Sequence, residues 1–187
     1  YFPENFIFDV FGCSIFAKDN FDKYLMASLN SKIKDLLLKS ISQTINFEVG
    51  QLSDYPIIFP KQESTKQTID TLTQDCIDIS KEDWDSRETS WDFTKNELLK
   101  YKSDSKLETA YNNYCSYWKE KFYKLHANEE ELNRLFIDIY ELGDELTPDV
   151  ALKDITILKS ESIINDNNQL EFKADEIMKQ FISYAVG

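Results

Sequence analysis

Glycine and proline are scarce in this chain, four of each in 187 residues, which excludes a loop-rich scaffold and favours long regular elements. Cysteine and histidine are scarcer still. Cys13, Cys76 and Cys115 are odd in number, far apart and without a Cys-x-x-Cys pair, and His126 is the sole histidine. Neither a disulfide framework nor a metal site is supported, and the cysteines read as small core residues. No apolar run approaches the roughly 18 residues that a membrane span requires, and no signal peptide is visible. The expectation is a soluble, cytoplasmic protein with no membrane partner. Positive charge is short as well: 34 acidic residues face 21 basic ones, a net charge of -13. That sign is wrong for a stand-alone nucleic-acid binder, whose phosphate contacts need clustered Lys and Arg.

Catalytic motifs are missing too. There is no Gly-rich loop for S-adenosylmethionine, no Asn/Asp-Pro-Pro-Tyr/Phe motif to grip an adenine amine, no phosphate loop and no Gly-x-Ser-x-Gly elbow. No catalytic residue and no bound cofactor is therefore expected within these residues. The chain opens at Tyr1 and stops at Gly187 inside a helical pattern, so it reads as a piece of a longer polypeptide.

What is present is a well-furnished core. Hydrophobic residues make up 42% of the chain and aromatics 14%, with 13 Phe and 10 Tyr, too apolar for disorder. A chain of this length buries about 70% of its unfolded surface. Phe6 to Phe11 and Ser14 to Phe16 are short aromatic and β-branched runs around Gly12 that read as strands. Asp19 or Asn20 then caps a helix with apolar positions Tyr24, Leu25, Leu29, Ile33, Leu36 and Leu37. A polar break follows, then an extended Phe47-Glu48-Val49, a turn at Gly50 and an exit framed by Pro56 and Pro60.

From Ser64 the pattern is helical, with Ile69, Leu72, Cys76, Ile79 and Asp83-Trp84 on one stripe. Trp84 and Trp91 lie in a charged segment and are expected to anchor it to a core rather than stack on a base. Lys106 to His126 is a strong helix along Leu107, Tyr111, Tyr114, Trp118, Phe122 and Leu125. Asn128 and Glu131 resemble a capping box opening a second, antiparallel helix that Gly143 terminates. His126 then falls at a helix C-terminus, where a cation is favoured over a general base. Ile155 to Leu158 reads as extended, Asn165 to Asn168 as a polar loop and Lys173 to Val186 as a last helix. The fold class is α+β and predominantly α-helical: short N-terminal strands with a helix, then a helical bundle.

Two charged patterns have bland readings beside the functional ones. Pro148-Asp149 with Glu171-Phe172-Lys173 matches the linear form of a Pro-Asp…Glu-x-Lys nuclease, yet such matches arise by chance in acidic chains and Asp149 reads as a turn. Glu129-Glu130-Glu131 is most simply a solvated helix start rather than a DNA mimic. Charge is also uneven: the lysines of the first fifty residues nearly offset their acidic residues, so the acidity lies downstream.

Three segments carry a resemblance. Leu29-Asn30-Ser31-Lys32 leading to Gly50-Gln51-Leu52 and Tyr55-Pro56-Ile57 resembles the end of the target-recognition region of modular bacterial DNA methyltransferases. That segment with Tyr24-Leu25 ahead of it, Trp84-Asp85-Ser86-Arg87-Glu88-Thr89-Ser90-Trp91-Asp92-Phe93, and Glu131 to Tyr140 with Asp144 to Pro148 together resemble the PglX-type adenine-specific DNA methyltransferases of bacteriophage-exclusion (BREX) systems. The closing Phe181 to Gly187 resembles the same family at a point where its chain continues. The resemblance implies a non-catalytic fragment downstream of the catalytic core of a site-specific adenine methyltransferase in phage defence, with S-adenosylmethionine bound in the parent's catalytic domain. Its partners would be DNA, reached through the parent enzyme, and other phage-defence subunits. Residues 1–60 would be the end of a DNA target-recognition-like region and 61–187 a helical scaffold. Asn30, Lys32 and Lys34 are the candidate DNA contacts. The alternative is an acidic helical protein-interaction module of a defence or restriction-modification complex that makes no DNA contact.

Overall fold

The computed structural model describes residues 14–41 and 53–187. Among these the architecture is predominantly helical with one small antiparallel hairpin. The elements run α1 (Asp22–Asn30), α2 (Ile33–Ile41), α3 (Glu63–Asp85), α4 (Glu97–Lys100), α5 (Leu107–Ile139), a 3-10 turn (Leu152–Asp154), β1 (Ser162–Ile164), β2 (Leu170–Phe172) and α6 (Ala174–Val186). The expected strand at Phe6 to Phe11 and the Phe47 to Leu52 stretch lie outside the described residues. Ser14 to Phe16 form no strand.

The chain divides into two compact units, residues 1–75 with 128–149 and residues 76–127 with 150–187. The expected regions 1–60 and 61–187 are a division of role, and these units are a division of packing. In the first unit Tyr24, Ile33, Ile69 and Phe136 are wholly buried, each contributing about 1.5–3 kcal/mol by leaving water. Tyr24 packs on Phe136 with ring centroids 5.2 Å apart, and Phe59 covers Phe21 at 4.8 Å. In the second unit Trp118, Phe122, Leu125, Ile155, Leu158 and Ile177 belong to one buried cluster with Tyr114 and Leu98.

Several expected elements take another form. The single helix from Asp19 to Leu37 is two, because Ser31 is extended (φ -80, ψ 165) and its hydroxyl bonds the Ser28 carbonyl at 2.8 Å. A serine that satisfies its own backbone in this way competes with helix propagation. Asp19 and Asn20 adopt positive φ, and the residue preceding α1 is Phe21, which makes no side-chain cap. The two antiparallel helices expected from 106 to 142 are instead one helix of 33 residues, α5. The sequence around Asn128 offers no glycine or proline to break it, and the apolar stripe of Tyr114, Trp118, Phe122, Leu125, Leu132 and Phe136 passes through without a change of phase. His126 therefore lies within the helix, its Nε2 2.7 Å from the Val150 carbonyl. A carbonyl only accepts, so Nε2 carries the proton.

The end of α5 also differs. Glu141, not Gly143, adopts the left-handed conformation (φ 56), and the amides of Glu141 and Leu142 bond the carbonyls of Asp138 and Ile137 at 3.2 and 3.0 Å. That pair of bonds is a Schellman ending. Ile155 to Leu158 form no strand: a turn begins at Ile157, and the strands pair further on with Ile163 opposite Glu171. Asn165 closes the hairpin loop by accepting from the amides of Asn167 and Gln169, both at 3.0 Å. Among the described residues no helix is long and apolar enough to cross a membrane.

Candidate nucleic-acid interface

Asn30, Lys32 and Lys34 bracket the break between α1 and α2. Asn30 is the exposed last residue of α1 and donates to the Met26 carbonyl at 2.7 Å. The Lys32 backbone amide donates to Asn133 Oδ1 at 2.9 Å. Lys34, on the first turn of α2, pairs loosely with exposed Asp35 at 3.4 Å. The three residues share one short corner of the first unit.

A tyrosine network holds that corner in place. Tyr24 Oη donates to the Ile58 carbonyl at 2.5 Å, Tyr140 Oη donates to the Pro56 carbonyl at 2.7 Å, and the Ile58 amide donates back to Tyr140 Oη at 3.1 Å. Tyr55 Oη lies 3.0 Å from Ser28 Oγ. Burial pushes Tyr55 up to about 12, with Tyr140 adding to the rise and the Ser28 hydrogen bond opposing it. Tyr24 is raised further, first by burial and then by the neighbouring Tyr140 and Tyr55. Both phenols are thus neutral at pH 7, and they serve as hydrogen-bond donors and packing groups rather than as bases.

Asn133 completes the clamp. It is 5% exposed, accepts from Lys32 and donates to the Pro148 carbonyl at 3.1 Å, so one side chain ties the α1–α2 corner to the chain leaving α5. Sequence reading placed Tyr24 on an apolar stripe and gave no part to Asn133 or Tyr140. Their pairing partners are about a hundred residues away, and the only signal was their presence in segments quoted for the resemblance.

The same packing changes the electrostatic setting. Residues 128–149 carry eight carboxylates, from Glu129 to Asp149, against Arg134 alone. Over the two units the counts are 18 acidic and 8 basic residues in the first, and 16 and 13 in the second, together the chain's 34 and 21. The near-neutral opening stretch therefore shares its unit with the most acidic part of the chain.

Asp149 belongs to the first unit, and Glu171 and Lys173 to the second. Glu171 lies on β2 and accepts from Asn165 at 3.4 Å; Lys173 Nζ donates to the Ser160 carbonyl at 3.1 Å. No group of three or more His, Cys, Asp or Glu among the described residues is placed to hold a metal ion. Cys76 and Cys115 are half-buried cysteines, and burial raises the Cys115 thiol, which opposes a nucleophilic role.

Trp84 and Trp91 do not anchor a core: they are 60% and 96% exposed, whereas Trp118 is wholly buried. Polar contacts fix the segment instead. Arg87 bridges Asp83, at 2.7 Å, and buried Glu161, while Ser90 Oγ donates to Asp85 at 2.8 Å. The Leu158 amide joins Asp83 at 3.1 Å.

Comparison with known proteins finds two relatives. The chain is 37% identical over 192 residues to the adenine-specific methyltransferase PglX of Lacticaseibacillus casei (strain Zhang), and 29% identical over 194 residues to the adenine-specific methyltransferase BrxX of Escherichia coli O9:H4 (strain HS). The similarity to both relatives runs over the whole of this chain. Each match covers all of this chain and 15% of the relative, so the chain spans about a seventh of their length. No protein-family model matches it. Two of the segments carrying the PglX resemblance, around Leu29 to Ile57 and Glu131 to Pro148, meet in the first unit through the Lys32–Asn133 and Tyr140–Pro56 bonds. The third, Trp84 to Phe93, belongs to the second unit.

Proposed function

We propose that this chain is a non-catalytic segment of a site-specific adenine DNA methyltransferase acting in phage defence, supplying the end of its target-recognition region and part of its scaffold. The end-to-end match to PglX and BrxX carries this reading. S-adenosylmethionine and the methyl-transfer chemistry belong to the parent polypeptide outside this segment. Residues 1–60 face DNA, with Asn30 making polar contact and Lys32 and Lys34 contacting phosphate, while residues 61–187 form the scaffold. The tyrosine clamp supports the role because contacts that set register need a rigid mount.

Salt-dependent DNA binding by the full-length enzyme tests it. Losing two phosphate contacts in the double variant Lys32→Glu/Lys34→Glu flattens the slope of log affinity against log salt by about 2. An unchanged slope removes these lysines from the interface. One observation favours a second reading, an acidic module that binds another defence subunit and not DNA: the eight carboxylates of 128–149 share the lysines' unit. Under it, DNA affinity is unaffected by the double variant, whereas reversing charge at Glu141 and Glu145 releases a protein partner.

A further inference from the structure

We propose that the segment carrying the exposed Trp84 and Trp91 is a docking surface for a lysine- and arginine-bearing face of the same, longer polypeptide outside this segment. The inference rests on the reading of the chain as part of a longer protein, and three observations point to it. The indoles are exposed on a fixed mount: Arg87 is tied to Asp83 and Glu161, Ser90 to Asp85, and Lys81 to both Asp85 and Asp92. Large aromatics held rigidly at a surface lose little side-chain entropy on being covered, which is why Trp is enriched among interface anchors.

The second observation is charge. Asp85 and Asp92, adjacent in sequence to the two tryptophans, line an open cavity of about 340 Å³ in which the carboxylates of Asp78, Glu82, Asp85, Asp92 and Glu97 outnumber three lysines. Burial pushes Glu97 up, whereas hydrogen bonds from Tyr117, Lys121 and Lys100 hold Glu82 low against its own burial. Lys81, Lys100 and Lys121 already pair with Glu82, Asp85, Asp92 and Glu97, and the acidic excess that is left favours a cationic protein face over a phosphate backbone. The third observation is length: PglX and BrxX extend far beyond the matched 15%, so ample polypeptide is at hand to cover the face.

Hydroxyl-radical footprinting of the full-length protein, read by mass spectrometry against the same protein unfolded in urea, tests this, with buried Trp118 as the protected standard. The expected result is oxidation of Trp84 and Trp91 slowed at least about fivefold in the native protein, as for desolvated interface anchors. Carbodiimide coupling of carboxylates to lysines then joins Asp85 or Asp92 to lysines outside the segment, and Trp84→Ser/Trp91→Ser abolishes those links while leaving Trp118 protected. Native Trp84 and Trp91 oxidised as fast as in the unfolded chain, or protected only after a separate protein or DNA is added, would overturn the proposal. These readouts do not depend on methylation, so they can fail while the assignment of function stands, and the reverse.

Discussion

Asn133 offers the sharpest test of how the candidate interface is held. Replacing it by alanine removes the acceptor for the Lys32 amide at 2.9 Å and the donor to the Pro148 carbonyl at 3.1 Å. Each bond contributes about 1 kcal/mol, and a backbone group left unpaired in a part-buried setting costs about 1–3 kcal/mol. Because both partners are backbone groups near a side chain only 5% exposed, water replaces the lost contacts incompletely. Asn133→Ala should therefore destabilise the first unit by about 2–4 kcal/mol. Urea unfolding followed by tyrosine fluorescence measures this. Asn30→Ala, which removes an exposed bond to Met26, is the control and should change stability by less than about 0.5 kcal/mol. If Asn133→Ala were as mild as Asn30→Ala, the clamp would not position the α1–α2 corner and the argument from rigidity would fail.

Three further outcomes are expected. Glu141→Gly relieves the left-handed backbone after α5 and should stabilise the chain by about 0.5–1 kcal/mol in thermal unfolding. Arg87→Met leaves Glu161, 3% exposed, without its cation, and should destabilise by about 3–5 kcal/mol in urea unfolding, with Arg87→Met/Glu161→Met recovering much of the loss. Burial tends to raise the Glu82 carboxyl, but the hydrogen bonds from Tyr117, Lys121 and Lys100 outweigh it and hold the group below its ordinary range. A carboxyl so lowered contributes stability above its unfolded pKa and loses it as pH falls through the folded value. Tyr117→Phe removes the first of those bonds, so acid unfolding, followed by circular dichroism, should begin at a higher pH.

Helical periodicity was legible where side chains bury on one face: α3, α6 and both halves of α5 follow from the spacing of apolar residues. Joins and endings were not. Asn128 and Glu131 carry the residue types of a capping box, yet tertiary packing along an uninterrupted stripe holds the backbone helical through them. The helix broke at Ser31 although its neighbours favoured it, because the Ser31 hydroxyl bonds the Ser28 carbonyl and the next amide, of Lys32, donates to Asn133. Trp84 and Trp91 were misread for a related reason: aromatic character fixes the gain from burial, not whether the burying surface belongs to this segment. For the candidate interface, sequence marked Asn30, Lys32 and Lys34 but not Tyr24, Tyr55, Tyr140 and Asn133, whose roles depend on contacts between distant parts of the chain.

The most direct measurement of the proposed role is the extent of site-specific adenine methylation in cells that carry the full-length protein, read by single-molecule sequencing. One strain carries the full-length protein unchanged and the other carries Lys32→Glu/Lys34→Glu. The reading of this segment as the DNA-facing end of a recognition region predicts that methylation falls in the variant while the protein remains folded and abundant. Methylation at the unaltered level would contradict it.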